Sequence, residues 1–218
     1  TFLRLFLITN IEIFQIFKKN KRVLLFLIEE KMIVIDDDIA YQMEINDCFN
    51  KYIDYFTPEL KDRIKFYNSH SKPQDQENFD EKRKNGENCE YICELIRKDS
   101  LDEFIAYINK MDIDLKTYEI QPSIFETNVF LYYKKYGYRL IEYSIFYGSI
   151  KIFKYLIMNN VDLKPLYFKN AIHSKNGDII HILEDQCYKL PQDEDSINKL
   201  CVLEANKCHH NDLANYFL

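Results

Sequence analysis

"SIFYGSIKIFKYLI", Ser144 to Ile157, is the stretch on which the fold turns. It begins with small and apolar residues at Ser144 and Ile145, breaks at Gly148 and Ser149, and resumes with Ile150, Phe153, Leu156 and Ile157. The resumed spacing puts those four side chains on one face of a helix. A short helix, a polar turn and a second amphipathic helix are therefore predicted.

The same unit recurs. Moving forward by 27 residues (171 − 144) brings "AIHSKNGDIIHILE", from Ala171, into line, with apolar matches at Ile152/Ile179, Phe153/Ile180 and Leu156/Leu183. A further 34 residues (205 − 171) reaches "ANKCHHNDLANYF", where Asp178 meets Asp212 and Leu183 meets Phe217. Backwards, "RKDSLDEFIAYI" from Arg97 matches through Ser100/Ser149, Phe104/Phe153 and Ile108/Ile157, and "DLK" follows at both Asp114 and Asp162. Near the start, "FKKNKRVLLFLI" from Phe17 aligns in the same way, giving five copies, two of them fainter. One helix hairpin cannot bury its own apolar face, so the copies must stack.

Boundary signals accompany the copies. Ser100 with Glu103 predicts a capping box, Pro165 suits the first turn of a helix, and Asp178 and Asp212 put negative charge near helix N-termini. The turn glycine survives only as Gly148, with Asp99, Lys175 and His209 in its place. A left-handed residue other than glycine costs about 1 kcal/mol. In the copy holding Lys175, Asn176 and Gly177 predict a turn shifted by one or two residues.

The order of small pair, two variable residues, glycine, polar residue, "IxxFxYLI" and a loop ending in "VDL" resembles the ankyrin repeat. "NFDEKRKNGENCEYICELIRKDSLDEFIAYI", "LIEYSIFYGSIKIFKYL" and "EANKCHHNDLANYF" look more specifically like the uncharacterised ankyrin-repeat domain family expanded in trichomonad protists, from about Phe14 onward. No copy carries a full "TPLH" opening. The resemblance implies an all-α, ankyrin-like solenoid of stacked, partly degenerate helix-turn-helix repeats, a binding role and no catalysis. It also implies the binding positions, the two variable residues before each turn: Arg97 and Lys98, Phe146 and Tyr147, His173 and Ser174, Lys207 and Cys208. Phe146 is alternatively a core residue, leaving only Tyr147 exposed.

Composition agrees with helices. Among 218 residues there are 4 Gly, 5 Pro and no Trp, too few turn formers for a β sandwich. A net charge of −6 with scattered Lys and Arg lacks the footprint of a nucleic-acid binder. "TFLRLFLITNIEIFQIF" is interrupted by Arg4 and Glu12, which favours a core helix over a membrane span. Six cysteines without framework spacing are read as reduced, so a cytoplasmic chain is expected, and it is taken as a monomer. With no initiator Met, the chain is open to being a piece of a longer one. An N-terminal helical part at 1–68, a polar connector at 69–86 and the better-formed repeats at 87–218 are expected, with helix starting at Thr57 and running up to the connector.

No phosphate loop, "HExxH" motif or nucleophile elbow occurs, so no enzyme and no cofactor are expected. The expected partner is a protein. The alternative is a metal-binding module or metal-dependent enzyme using Cys201, Cys208, His209 and His210. Cys89 and Cys93, four apart, could also share a helix face, though interleaved Ile92, Leu95 and Ile96 favour packing. The acidic runs at 36–38 and 193–195 read as solvated turns.

Overall fold

The computed structural model describes residues 8–45, 50–60, 78–132, 137–187 and 194–218. They are mostly helical. In chain order the helices are α1 (Asn10–Phe17), α2 (Lys21–Glu29), α3 (Asp37–Ile45), α4 (Asn50–Tyr55), α5 (Thr57–Leu60) and α6 (Phe79–Asn85). Then come α7 (Tyr91–Arg97), α8 (Leu101–Lys110), strand β1 (Glu119–Ile120), α9 (Val129–Tyr132) and strand β2 (Tyr138–Arg139). Last are α10 (Leu140–Tyr147), α11 (Ile150–Met158), α12 (Phe168–Ser174), α13 (Gly177–Cys187), α14 (Glu194–Lys207) and α15 (Asn211–Tyr216). Among the described residues, no helix is long and apolar enough to cross a membrane.

The chain divides into two compact units, Thr1–Cys89 with Pro122–Lys135, and Glu90–Gln121 with Tyr136–Leu218. In the first unit, Ile13 and Phe14 of α1, Leu24 and Leu25 of α2, and Ile39 and Met43 of α3 share one core. Thr9 and Glu12 form a reciprocal capping box at the start of α1. Asp36, in the first acidic run, accepts the Ile39 N–H at 3.0 Å and so caps α3 rather than standing as a free solvated charge. Lys21 is buried at 1% exposure. Its ammonium donates to the carbonyls of Ile124 (2.8 Å) and Glu126 (3.2 Å) and lies over the Tyr55 ring. A buried charge needs such partners, and these tie the 122–132 segment to the early helices.

The connector expected at 69–86 is corrected in part, because Phe79–Asn85 is helical. Arg83 accounts for this: both carboxylate oxygens of Glu59 accept from its Nη1, at 2.9 and 2.8 Å, and Tyr55 Oη donates to its carbonyl at 3.1 Å. The remainder, 69–77, lies outside the described residues, as does any helix beyond Leu60 and the Asp193 end of the second acidic run. Thr57 is the first residue of α5, and its hydroxyl donates back to the carbonyls of Ile53 and Asp54.

The second unit holds four helix pairs: α7 with α8, α10 with α11, α12 with α13, and α14 with α15. α10 packs against both α7 and α12, and α12 against α14. The apolar positions matched between copies are buried, with Ile152, Phe153, Leu156, Ile179, Ile180 and Leu183 all at 2% exposure or less, whereas Ile150 and Ile157 of the expected face are half-buried. β1 and β2 pair antiparallel, Glu119 opposite Arg139. Gly137 permits that approach, since a Cβ there would stand 2.4 Å from the Ile120 carbonyl oxygen.

The turns inside the pairs share one backbone. Asp99, Gly148, Lys175 and His209 are all left-handed, at φ of 50°, 71°, 53° and 56°. In three of the four, the next N–H reaches back five residues: Ser100 to Leu95 (3.1 Å), Ser149 to Ser144 (2.9 Å) and His210 to Ala205 (2.8 Å). This is the hydrogen bond of the Schellman helix end. The turn at Lys175 has therefore not shifted. Asn176 instead caps α13, its Oδ1 accepting from Ile179 N–H at 3.3 Å while its amide donates to the Gly148 carbonyl at 3.1 Å.

The capping box expected at Ser100 does not form. Ser100 is the N-cap of α8, but its ψ of 78° falls short of the extended conformation seen at Thr9, and its side chain makes no capping bond. Asp99 caps a different helix. Its carboxylate accepts from the N–H groups of Lys151 (3.1 Å) and Ile152 (3.0 Å), in the first turn of α11. Pro165 does open a helix, in the 3-10 turn Pro165–Tyr167 that runs into α12. Asp178 and Asp212 stand in the first turns of α13 and α15.

Candidate functional site

The variable positions before the turns lie at the C-terminal ends of α7, α10, α12 and α14. Because these helices are neighbours and end in the same left-handed turn, their last residues come together. Arg97 Nη1 donates to the Tyr143 hydroxyl at 3.0 Å, and its guanidinium lies 5.9 Å from the Tyr147 ring centroid. Tyr147 meets Tyr143 at 4.7 Å and Phe146 at 5.1 Å between centroids, and Phe146 meets His173 at 5.0 Å. His173 Nε2 then stands 3.2 Å from Glu204 Oε1, and Lys207 donates to Glu204 Oε2 at 3.2 Å. The result is an unbroken run of contacts from α7 to α14.

Its members differ in exposure. Lys98 and Lys207 are exposed, Arg97, Tyr147, His173, Ser174 and Cys208 are half-buried, and Phe146 is buried at 7%. Phe146 is thus the aromatic wall beneath Tyr147 rather than an exposed contact. Ser174 is engaged locally, donating to the Ala171 carbonyl (2.9 Å) and accepting from Asn176 N–H (3.2 Å). Lys98 pairs with Glu94 at 2.5 Å on the solvent side.

Burial sets the electrostatics. It holds the Tyr143 phenol far above the usual range, helped by Cys93 and Tyr147 and opposed by Arg97. Burial lowers His173 while Glu204 works the other way, so the ring favours the neutral form. Burial and then Glu204 push the Cys208 thiol up.

The four residues of the metal alternative do not come together as a set. Cys201 is fully buried in α14, with its thiol pushed up to about 12 by burial. His209 is the exposed left-handed turn residue. His210 Nδ1 lies 3.0 Å from the Ile172 carbonyl, an acceptor only, so that nitrogen is the donor. Cys208 alone of the four belongs to a group with ligand geometry, and its companions are His173 and Glu204, all three ligand atoms lying within 4.8 Å of one another. Sequence reasoning passed over Glu204. No local signal marks it, because its companion His173 lies on another helix. Cys89 is exposed before α7 starts and Cys93 is buried within it, so the pair shares no helix face.

The chain matches no protein-family model, no curated protein and no solved structure.

Proposed function

We propose that this chain is a non-enzymatic protein-interaction module of the ankyrin-repeat type, acting as a cytoplasmic monomer. It binds a partner protein, not nucleic acid, through the concave face of its stacked repeats. One observation supports this above the others. Positions picked from four separate copies, Arg97, Tyr147 and His173 with Lys207 and Cys208 beyond, join in one continuous run of contacts across four helix ends, with buried Phe146 linking Tyr147 to His173 beneath the surface. A half-exposed tyrosine backed by Phe146 and flanked by Arg97 suits the centre of an interface, where aromatic residues and Arg carry most binding energy. Lys98 and Lys207 suit its rim.

The test is affinity purification with the unmodified chain, a Lys98→Glu/Tyr147→Ala/Lys207→Glu variant, and a Met158→Ala control. Met158 is 81% exposed at the end of α11. A partner retained by the control and lost by the triple variant is the expected result. A partner list unchanged in a still-helical triple variant overturns the reading.

A further inference from the structure

The structure places three metal-ligating side chains from two helix ends around one point. His173 comes from the last turn of α12, Glu204 from the last turn of α14, and Cys208 follows α14 directly. Measured from the imidazole Nε2, the Glu204 Oε1 is 3.2 Å away and the Cys208 Sγ 3.8 Å. Around zinc, bonds of about 2.3 Å to sulfur and about 2.0–2.1 Å to nitrogen and oxygen separate tetrahedral corners by about 3.3–3.6 Å. The observed spacings bracket that range. None of the three pairs exceeds 4.8 Å, so drawing the widest to a tetrahedral edge needs a shift of about 1 Å.

We infer that His173, Glu204 and Cys208 form a binding site for a borderline divalent cation, with Zn(II) the best fit. A thiolate with an imidazole and a carboxylate selects such an ion over Mg(II) or Ca(II), which prefer all-oxygen cages. Three protein ligands leave the fourth corner to water. The surroundings are those of a supported site. Lys207 holds the second Glu204 oxygen at 3.2 Å, and the Phe146 ring stands beside the imidazole. Binding releases the Cys208 thiol proton to solvent as the sulfur becomes a thiolate, and the His173 ring proton that faces Glu204 moves from Nε2 to Nδ1, freeing the Nε2 lone pair for the metal.

The same three residues could be read as a nucleophile, base and orienting carboxylate, but the geometry argues otherwise. In such a relay the thiol and the carboxylate face different ring nitrogens. Here the thiol is nearly equidistant from the two ring nitrogens, 3.6 Å from Nδ1 and 3.8 Å from Nε2, and so is aligned with neither, while the carboxylate stands on Nε2. All three ligand atoms lie within 4.8 Å of one another.

The inference does not depend on protein binding and is tested on the chain alone. Protein made without a His tag is stripped with a chelator, then titrated with Zn(II) against a chromophoric competitor and, separately, with Co(II). About one Zn(II) per chain is expected, since a folded three-ligand site fills near stoichiometrically. Co(II) should give a thiolate charge-transfer band together with tetrahedral d–d absorption. Cys208→Ser should abolish that band and weaken Zn(II) by at least about tenfold, the scale at which even outer-shell changes act. His173→Gln and Glu204→Gln should weaken it as well. Cys89→Ser, at an exposed thiol before α7, should change neither. A Co(II) complex of the unmodified protein without a thiolate band overturns the inference and requires no variant to fold. So does a band that survives Cys208→Ser.

Discussion

The Ser149 hydroxyl donates to the carbonyl of Ile96, 2.5 Å away and 53 residues earlier in the chain. His210 stands in the same relation to Ile172, at 3.0 Å. Ser149 and His210 occupy one position of the repeat, just after the left-handed turn, and Ile96 and Ile172 occupy another, just before the variable pair. Two side chains of different chemistry thus make the same bond between adjacent helix pairs.

The strength of that bond can be anticipated. The Ile96 carbonyl also accepts the Asp99 N–H at 2.9 Å, so removing the hydroxyl does not orphan it. Ser149→Ala is expected to cost about 1 kcal/mol, the worth of one ordinary hydrogen bond, rather than a full desolvation penalty. Urea unfolding followed by circular dichroism measures it. A loss of about 3 kcal/mol or more would mean the buried hydroxyl does something further.

The left-handed turns make different predictions at equivalent positions. Lys175 at φ 53° is exposed, so Lys175→Gly relieves backbone strain and should stabilise by about 1 kcal/mol. Asp99→Gly relieves the same strain but deletes the cap on Lys151 and Ile152, worth about 1 kcal/mol, and should come out near neutral. Asp99→Ala keeps the strain, loses the cap and should be the worst of the three. Melting temperatures rank them, and a stabilising Asp99→Ala would refute the cap.

Lys21→Ala removes an ammonium that satisfies two carbonyls inside the first unit. Charge-assisted bonds to a buried lysine predict a loss of about 3 kcal/mol. Limited proteolysis should then open the 122–132 segment first. Equal protease resistance in the variant would show that the segment is held by other contacts.

Alkaline pH should unfold the chain through its tyrosines. Burial holds Tyr143 far above the usual phenol range and pushes Tyr55 and Tyr167 up to about 12. Between about pH 10, where unfolded tyrosines ionise, and the higher folded values, the native state binds more protons than the unfolded one. Stability therefore falls as pH rises through that window. Tyr143→Phe should flatten the fall, and an unchanged alkaline unfolding curve would mean that Tyr143 ionises normally.

How much was legible beforehand depends on the range of each interaction. The helix pairs could be read because Ile152, Phe153 and Leu156 announce a buried face through local spacing, and Gly148 marks its own turn. The first-unit lysine could not, because Lys21 sits in a run, "NKRVLLFLI", that reads as a solvated helix start, and its carbonyl partners lie over a hundred residues away. Asp99 looked like a flawed glycine; only the placement of α11 reveals it as a cap. Glu204 was passed over for the same reason, since its meaning comes from His173 on another helix. The adjacent Cys-His-His run reads in the sequence as a ligand set, whereas the structure gives His210 to a backbone carbonyl and joins Cys208 to residues outside the run.

The central claim is that the face running from Arg97 through Tyr147 to Cys208 meets a partner protein. A photo-crosslinking residue placed at position 147, and separately at 158, tests it most directly in cells expressing the chain. The account predicts a discrete cross-linked protein from position 147 and none from 158. A cross-link from 158 with none from 147 would contradict it.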